Sequence, residues 1–545
     1  MFDICSILVS SVRYGFYTSA LLVLVIILNA VHQLLPKKKS EPPMVWHWIP
    51  FIGNAVEYGT NPLAFYTKAQ KQHGPIFTYV LFGKKNVVYL GLDGNEFILN
   101  GRLQDVNAED IYGPLTPVFG RNIIYDCPNS KLMEQKKFVK FGLTQRALEQ
   151  HVPLIENEVL SYLSSSATFN TPSSSSTKAP TQLQSGIIDL PHTMAQITIF
   201  TAGRALQGLE VRSKLTDEFA DLYDDLDRGF RPINFLAPWL PLPQNYRRDK
   251  AHAKMTNVYM DIISRRREKR GMGAYGPSGG DVVGQGMEGE NEMDMIDNLM
   301  SCVYKTGEHI PDVEIAHLMI TLLMAGQHSS SSSSSWIMLR LASRPDIVEE
   351  LLREQRDAKL DLKGGRGLQF EDLGKLKLLG NVVKETLRLH SSIHSIMRAV
   401  KNDLPIPGTP FVITTDKVLV ASPIATHFSP EHFTNPEEWD PHRWDALSDV
   451  GDEDGGDESD KVDYGYGVMS KGTRSPYLPF GAGRHRCIGE KFAYVNLLTI
   501  VSTLVREFKW SLVEEGGEEG KVPKTDYTSM FSRPMPGSRV RWERR

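Results

Sequence analysis

One twelve-residue stretch constrains this chain more than any other: Pro479-Phe480-Gly481-Ala482-Gly483-Arg484-His485-Arg486-Cys487-Ile488-Gly489-Glu490. A single cysteine sits in a glycine-rich loop among basic residues, and a helical pattern, Lys491 to Leu504, starts just beyond it. A thiolate is an anion, and backbone N–H groups at a helix N-terminus and nearby cations both lower a cysteine's pKa. The loop's glycines let the backbone curl round the sulfur and let a flat ligand approach closely. These are the requirements of an axial ligand to haem iron, where a thiolate pushes electron density toward O–O cleavage. A buried structural cysteine beside a glycine turn is the bland alternative. The spacing Phe480-x-x-Gly483-x-His485-x-Cys487-x-Gly489 favours the ligand.

The other three cysteines (Cys5, Cys127, Cys302) are scattered without paired spacing, which suggests a reducing compartment rather than a disulfide framework. A net charge of −4 gives no global push toward nucleic acid, and the basic residues lack a groove-reading arrangement. Tyr17 to Leu35 carries an apolar run of about the length that spans a bilayer. A cleaved signal peptide would want a basic start and a small-residue cleavage site, yet residues 1–16 offer only Arg13 against Asp3. Lys37, Lys38 and Lys39 follow the run instead, so a retained signal anchor with the body on the cytosolic side is expected. Pro36, Pro42, Pro43 and Pro50 make a stiff connection after it.

Along the body, Phe77–Phe82 and Asn86–Leu90 about Gly83 read as a β-hairpin, with further strands at Pro405–Gly408 and Val412–Val420. Helices are expected over Lys131–Gln145, His192–Leu206, Lys214–Phe230 and Arg247–Arg270, with prolines 232, 238, 241 and 243 as breakers. Ser164–Ser185, Gly271–Glu292 and Asp445–Asp463 read as a Ser-rich insertion, a Gly/acidic linker and an acidic loop. The longest element runs from Pro311 to Ser343, about 50 Å at ~1.5 Å per residue. It contains Ala325-Gly326-Gln327-His328 and then seven serines, Ser329–Ser335, which alone would suggest disorder. Apolar flanks, Ile320–Ala325 and Trp336–Leu341, predict a helix that runs through them. Glu385 and Arg388 stand at helical i, i+3 spacing, and Arg443 lies in a Pro-rich aromatic segment downstream.

The cysteine loop resembles the haem-ligand loop of the cytochrome P-450 superfamily, and Gly483-Arg484-His485-Arg486-Cys487-Ile488-Gly489 resembles that of the fungal sterol 14α-demethylases. The resemblance covers nearly the whole chain from about residue 45. It implies a mainly α fold with a smaller β-region, the haem-thiolate monooxygenase (cytochrome P-450) fold, preceded by one transmembrane helix. Residues 1–16 would be lumenal, 17–35 the anchor, 36–50 a linker and 51–545 the monooxygenase domain, on the endoplasmic reticulum membrane. Cys487 would ligate the iron of haem b. Tyr112, Tyr125, Lys136, Arg398 and His485 would hold the propionates, donor types that make charge-assisted bonds to carboxylates. His328 and Ser329 fall where the superfamily places an acid and an alcohol over the iron. Histidine at that place resembles the sterol enzymes, and its ordinary pKa suits a proton relay. Glu385, Arg388 and Arg443 would form a structural triad, tenable only if its polar atoms satisfy one another.

By the same resemblance the substrate residues are Tyr112, Phe119, Phe230, Pro232, Phe235, Met324, Ala325, Ile393, His394, Ser395 and Met530, mostly apolar as a sterol requires. Two departures lie at this rim: Leu115-Thr116-Pro117 has one threonine where the family shows two, and Ser391-Ser392 stands where the family favours proline. The implied reaction is three oxygenations of the 14α-methyl group of a lanosterol- or eburicol-type sterol, releasing formate. Electrons would come from NADPH through a separate reductase, docked on a basic surface around Lys137, Lys140, Arg484 and Lys491. Membrane lipid and azole-type inhibitors are further partners implied. Two alternatives stay open on sequence alone: a haem-thiolate oxygenase or isomerase acting on another lipid, and a non-catalytic sterol or haem carrier.

Overall fold

The computed structural model describes residues 4–170, 182–215, 217–231, 233–234, 240–269, 294–360, 367–447, 472–513 and 520–545. Their contacts divide into two compact units, one of residues 1–111 with 395–426 and one of residues 112–394 with 427–545.

The first unit begins with a helix over Ile4–Leu34, whose window Phe16–Leu34 is long and apolar enough to cross a membrane. Near its end the side chains turn polar and are used: Asn29 and Gln33 donate to the His47 carbonyl at 2.9 and 2.7 Å, and the His47 N–H returns to Gln33 Oε1. A five-stranded sheet follows, built from Ile76–Leu81, Lys84–Tyr89, Lys417–Ala421, Ile396–Val400 and Val106–Asn107 in that spatial order. The first two strands form an antiparallel hairpin closed by Phe82-Gly83, both at positive φ. That backbone matches the strand twist and explains why the turn needs only two residues. Leu404–Pro405 pairs with Val412–Ile413 as a separate small ladder, so the expected strand over 412–420 is interrupted before Lys417. Phe65, Tyr66, Phe77, Tyr79, Val88 and Val420 form this unit's core.

The second unit is helical, with a three-stranded antiparallel sheet of Ser185–Asp189, Arg539–Arg544 and Phe508–Leu512. Its axis is the helix Asp312–Ala342, which runs straight through the serines. Four hydroxyls turn back onto carbonyls of the preceding turn (Ser329 to Ala325, Ser331 to His328, Ser334 to Ser330, Ser335 to Ser331), so the buried Ser334 and Ser335 are satisfied within the helix. Apolar residues on every face, from Ile315 to Leu341, are buried, as expected of a helix surrounded by others. The helix Leu190–Gln207, the helix Pro243–Lys269 and the helix Glu490–Glu507 pack on it.

Boundaries differ from the sequence expectation where glycine and proline act locally. The helix expected over 131–145 spans Asn129–Phe141, stops at Gly142 and gives way to a second helix, Gln145–Ser165. Pro243, expected as a breaker, is the first residue of the next helix, where a missing N–H costs nothing. The linker 271–292 and residues 448–463 of the acidic loop lie outside the described residues.

Candidate active site

The cysteine loop is shaped by its backbone. Gly481 and Gly483 both sit at φ 66°, a left-handed region that side-chain-bearing residues avoid, and buried Ala482 stands between them. The Cys487 N–H closes on the Phe480 carbonyl at 3.0 Å and the Arg486 N–H on that of Gly483 at 3.1 Å. The helix Glu490–Glu507 starts three residues after the cysteine. Cys487 has an exposed surface, yet protein surrounds it closely enough that desolvation raises its thiol pKa. The Gly489 N–H, Lys136 and Arg486 pull the other way, against Glu490. The lowering influences read from the sequence are therefore present, and in the protein alone burial outweighs them.

Lys136, half-buried on Asn129–Phe141, donates to the carbonyls of Arg484 and Arg486 at 3.2 and 3.4 Å, which fastens that helix to the loop. Tyr112 and Tyr125 face each other with ring centroids 4.9 Å apart. His485 is half-buried in the turn Gly483–His485. Arg398 is buried on the strand Ile396–Val400 of the first unit, where it donates to the Met397 carbonyl.

Glu385, Arg388 and Arg443 meet in the second unit. Arg388 Nε and Nη2 reach the two Glu385 oxygens at 2.9 and 2.7 Å, and Arg443 Nε reaches Oε1 at 2.8 Å. The Trp444 indole N–H and the Asp440 N–H complete the carboxylate, while Arg388 spends its remaining donors on the carbonyls of His427, Pro436 and Glu438. His427 carries this order onward: its Nε2 accepts the Leu478 N–H at 2.8 Å, at the entrance to the cysteine loop, and its Nδ1 donates to the Arg388 carbonyl.

The central helix opens in its middle. Met324 is fully buried, but Ala325 is exposed and a Cβ added at Gly326 would touch nothing within 4 Å. Next along, His328 Nε2 lies 3.0 Å from both the Tyr223 hydroxyl and Asp227 Oδ1. The Phe531 ring stacks on the imidazole at 5.0 Å and Phe230 meets its edge at 5.2 Å. Burial among these rings lowers the His328 pKa, Asp227 raises it and Arg533 lowers it. The Ser329 hydroxyl donates to the Ala325 carbonyl.

Among the other expected ligand residues, Phe119 and Phe230 are in edge contact at 5.7 Å, and Met530 is half-buried beside Phe531. Ile393 is exposed, and His394 is buried with its pKa pushed down to about 4 by desolvation. Ser395 lies in the first unit, where its hydroxyl is shared by Tyr58 and Tyr66 at 3.1 and 2.9 Å. Pro232 and Phe235 lie outside the described residues. Sequence reasoning missed Tyr223, Asp227 and Phe531; the i, i+4 spacing of Tyr223 and Asp227 was the available signal that one helix face presents both.

The cytochrome P450 family profile matches residues 43–541. The chain belongs to the cytochrome P450 family. Within it, the chain is 58% identical to a sterol 14-alpha demethylase, CYP51A, of Gibberella zeae, over 98% of each protein. It is 54% identical to the eburicol 14-alpha-demethylase of Penicillium italicum over 97% of each, which places it in the sterol 14-alpha demethylase group. Retinoic acid bound cyanobacterial CYP120A1 shares the fold, with a TM-score of 0.70 and 21% identity across 93% of this chain and all of that one. A P450 is an oxidoreductase with a haem-thiolate centre, and it takes electrons from a redox partner. The residues here fit such a group. Cys487 offers a soft sulfur donor in a loop whose glycines admit a flat ligand, and among the described residues no three His, Cys, Asp or Glu converge there, so iron held at Cys487 would draw most of its ligands from a macrocycle.

Proposed function

We propose that this P450 is a sterol 14α-demethylase, removing the 14α-methyl group of lanosterol- or eburicol-type sterols in three steps that each use O2 and NADPH-derived electrons. The methyl carbon leaves as formate and the ring gains a 14,15 double bond. The observation that carries the reading is the identity of more than half, over nearly the whole length, to enzymes so named, in a chain that carries both the Cys487 loop and an aromatic-walled His328. Haem b, once bound, supplies oxygen activation at a thiolate-held iron.

The chain's own residues do the rest. Cys487 supplies the sulfur. Tyr112, Tyr125, Lys136, Arg398 and His485 hold the propionates. Phe119, Phe230, Pro232, Phe235, Met324, Ala325, Ile393, His394, Ser395 and Met530 shape the sterol site. Asp227, about a third exposed, takes protons from solvent and hands them to His328 Nε2 at 3.0 Å. Tyr223 fixes the imidazole by a second contact at that nitrogen. Ser329 can continue the path only after its hydroxyl turns away from the Ala325 carbonyl.

The apolar helix anchors the protein in the endoplasmic reticulum membrane, with the catalytic body on the cytosolic side by the Lys37–Lys39 rule. Exposed Trp46, Trp48, Ile49 and Phe51 beside it provide a contact for lipid. An NADPH-dependent reductase docks where Lys137, Lys140 and Arg484 are exposed, with Lys491 beside them, and azole-type inhibitors are further ligands of the protein. Purified protein with reductase and lanosterol is expected to release formate and to show a thiolate-type carbon monoxide spectrum that Cys487→Ala abolishes. A sound spectrum with no formate refutes the sterol assignment.

A further inference from the structure

Two histidines outside the site described above share one unusual task. The short helix Thr116–Phe119 ends at Gly120, whose φ of 109° turns the chain away from the helix. The His317 ring, on the central helix, lies flat against that glycine. A Cβ at residue 120 would stand 2.3 Å from its ring carbon, so the imidazole occupies the space any other residue would need. His317 Nδ1 donates to the Arg121 carbonyl at 3.1 Å, one residue further on. Behind it, His252 from the helix Pro243–Lys269 brings its ring to 5.1 Å from that of His317 and sits beside the Phe119 backbone. Burial lowers the pKa of both, His252 to about 4, so both rings are neutral near pH 7. Among the described residues, His252 Nε2 is buried without a hydrogen-bond partner, a cost tolerated for the shape of the ring.

Both histidines contact the backbone of Phe119–Arg121. The Phe119 ring continues to Phe230, and Phe230 to both His328 and Phe531. The flat contact on Gly120, at the end of the short helix, therefore bears on the pitch at which Phe119 enters the aromatic wall. We propose that His317, backed by His252, is a positioning residue that fixes the Phe119 ring in the wall and so determines which flat, apolar polycyclic ligands fit. This rests on the sterol reading above for the identity of the ligand, but not for the mechanical claim.

The test is a double-mutant cycle in the purified, haem-loaded full chain, with lanosterol as probe and the haem absorbance shift as the binding signal. His317→Leu removes the donor and changes the ring shape, and is expected to weaken lanosterol binding about fivefold, the scale of one lost hydrogen bond. His317→Asn keeps a donor at the same place and should recover most of that. In a Phe119→Ala background the His317→Leu effect should shrink to under about twofold, because the part it positions is gone. Amide exchange at Gly120 and Asn122, bonded to the Thr116 carbonyl and the Asp126 carboxylate, should quicken in His317→Leu without any ligand. Equal losses in both backgrounds, or unchanged exchange, overturn the proposal. Should the wild type bind no lanosterol, the sterol reading fails while the exchange arm still decides the positioning claim. If His317→Leu does not fold, the cycle is run with His317→Gln, which misplaces the donor by one bond.

Discussion

Two histidines in the second unit, His427 and His328, show how one residue type is built into a lock and into a relay. His427 has both nitrogens committed: Nε2 accepts from Leu478 and Nδ1 gives to Arg388, which fixes a single neutral tautomer. Burial and the Arg388 charge push its pKa down to about 3, so it stays neutral through the range in which proteins work. Around it Glu385, Arg388, Arg443 and Trp444 are satisfied by one another and by neighbouring backbone groups. His328 is held by rings instead, with two contacts crowded onto one nitrogen and a partly exposed carboxylate as its neighbour. Its protonation can change without breaking a backbone contact. Saturated hydrogen bonding makes geometry permanent, and incomplete saturation beside solvent leaves charge negotiable.

The strongest way to break this contrast is at the lock. Glu385→Ala leaves the buried Arg388 and the half-buried Arg443 guanidinium groups uncompensated and is expected to cost about 3–5 kcal/mol, seen as a lowered thermal midpoint and poor haem retention. Asp227→Asn attacks the relay: turnover should fall about 10²-fold with little change in the unfolding midpoint, as for loss of a general acid. A comparable loss of stability there would show that Asp227 belongs to a lock after all. His427→Phe strands the Leu478 N–H and the Arg388 carbonyl and should destabilise by about 1–3 kcal/mol.

The same histidine gives a sign for acid unfolding. Its folded pKa lies below the unfolded value of 6.5, so between pH 6.5 and about 3 the unfolded chain binds a proton that the folded one refuses. Stability therefore drops as pH falls through that window, by up to about 1.4 kcal/mol per pH unit, and His427→Phe should flatten the slope measured by denaturant titration. Phe531→Leu is subtler. With the stacked ring gone, His328 is better hydrated and its pKa rises, so the acidic limb of kcat against pH should move upward by less than about one unit. Smallest of all, Ser335→Ala should lie within about 0.5 kcal/mol by thermal melting, since its hydroxyl only returns to the Ser331 carbonyl.

What the sequence revealed follows the range of each interaction. The cysteine loop is legible because its demands are local: two left-handed glycines and a helix start lie within twelve residues. The central helix could be traced through seven serines because its flanks are apolar on both sides, and back-bonding satisfies what the serines would otherwise leave open. Glu385 and Arg388 share a helix turn and could be paired by spacing. The contact of Asp227 with His328 joins residues about a hundred positions apart, and no local pattern carries it. Gly120 carries no local signal of its role, because the ring that forbids a side chain there comes from residue 317.

The bonds from Asn29 and Gln33 to the His47 and Trp48 backbones have a mechanical meaning. A proline-rich connector alone behaves as a leash, with the anchor free to swivel. Cross-braced in this way, the joint is a bracket, and the tilt of the helix in the bilayer is conveyed to the segment Trp46–Trp48. Under the proposed anchoring, a change in the tilt of that helix would move the two indoles with it, so the bracket would couple the helix's angle to the place of the tryptophans.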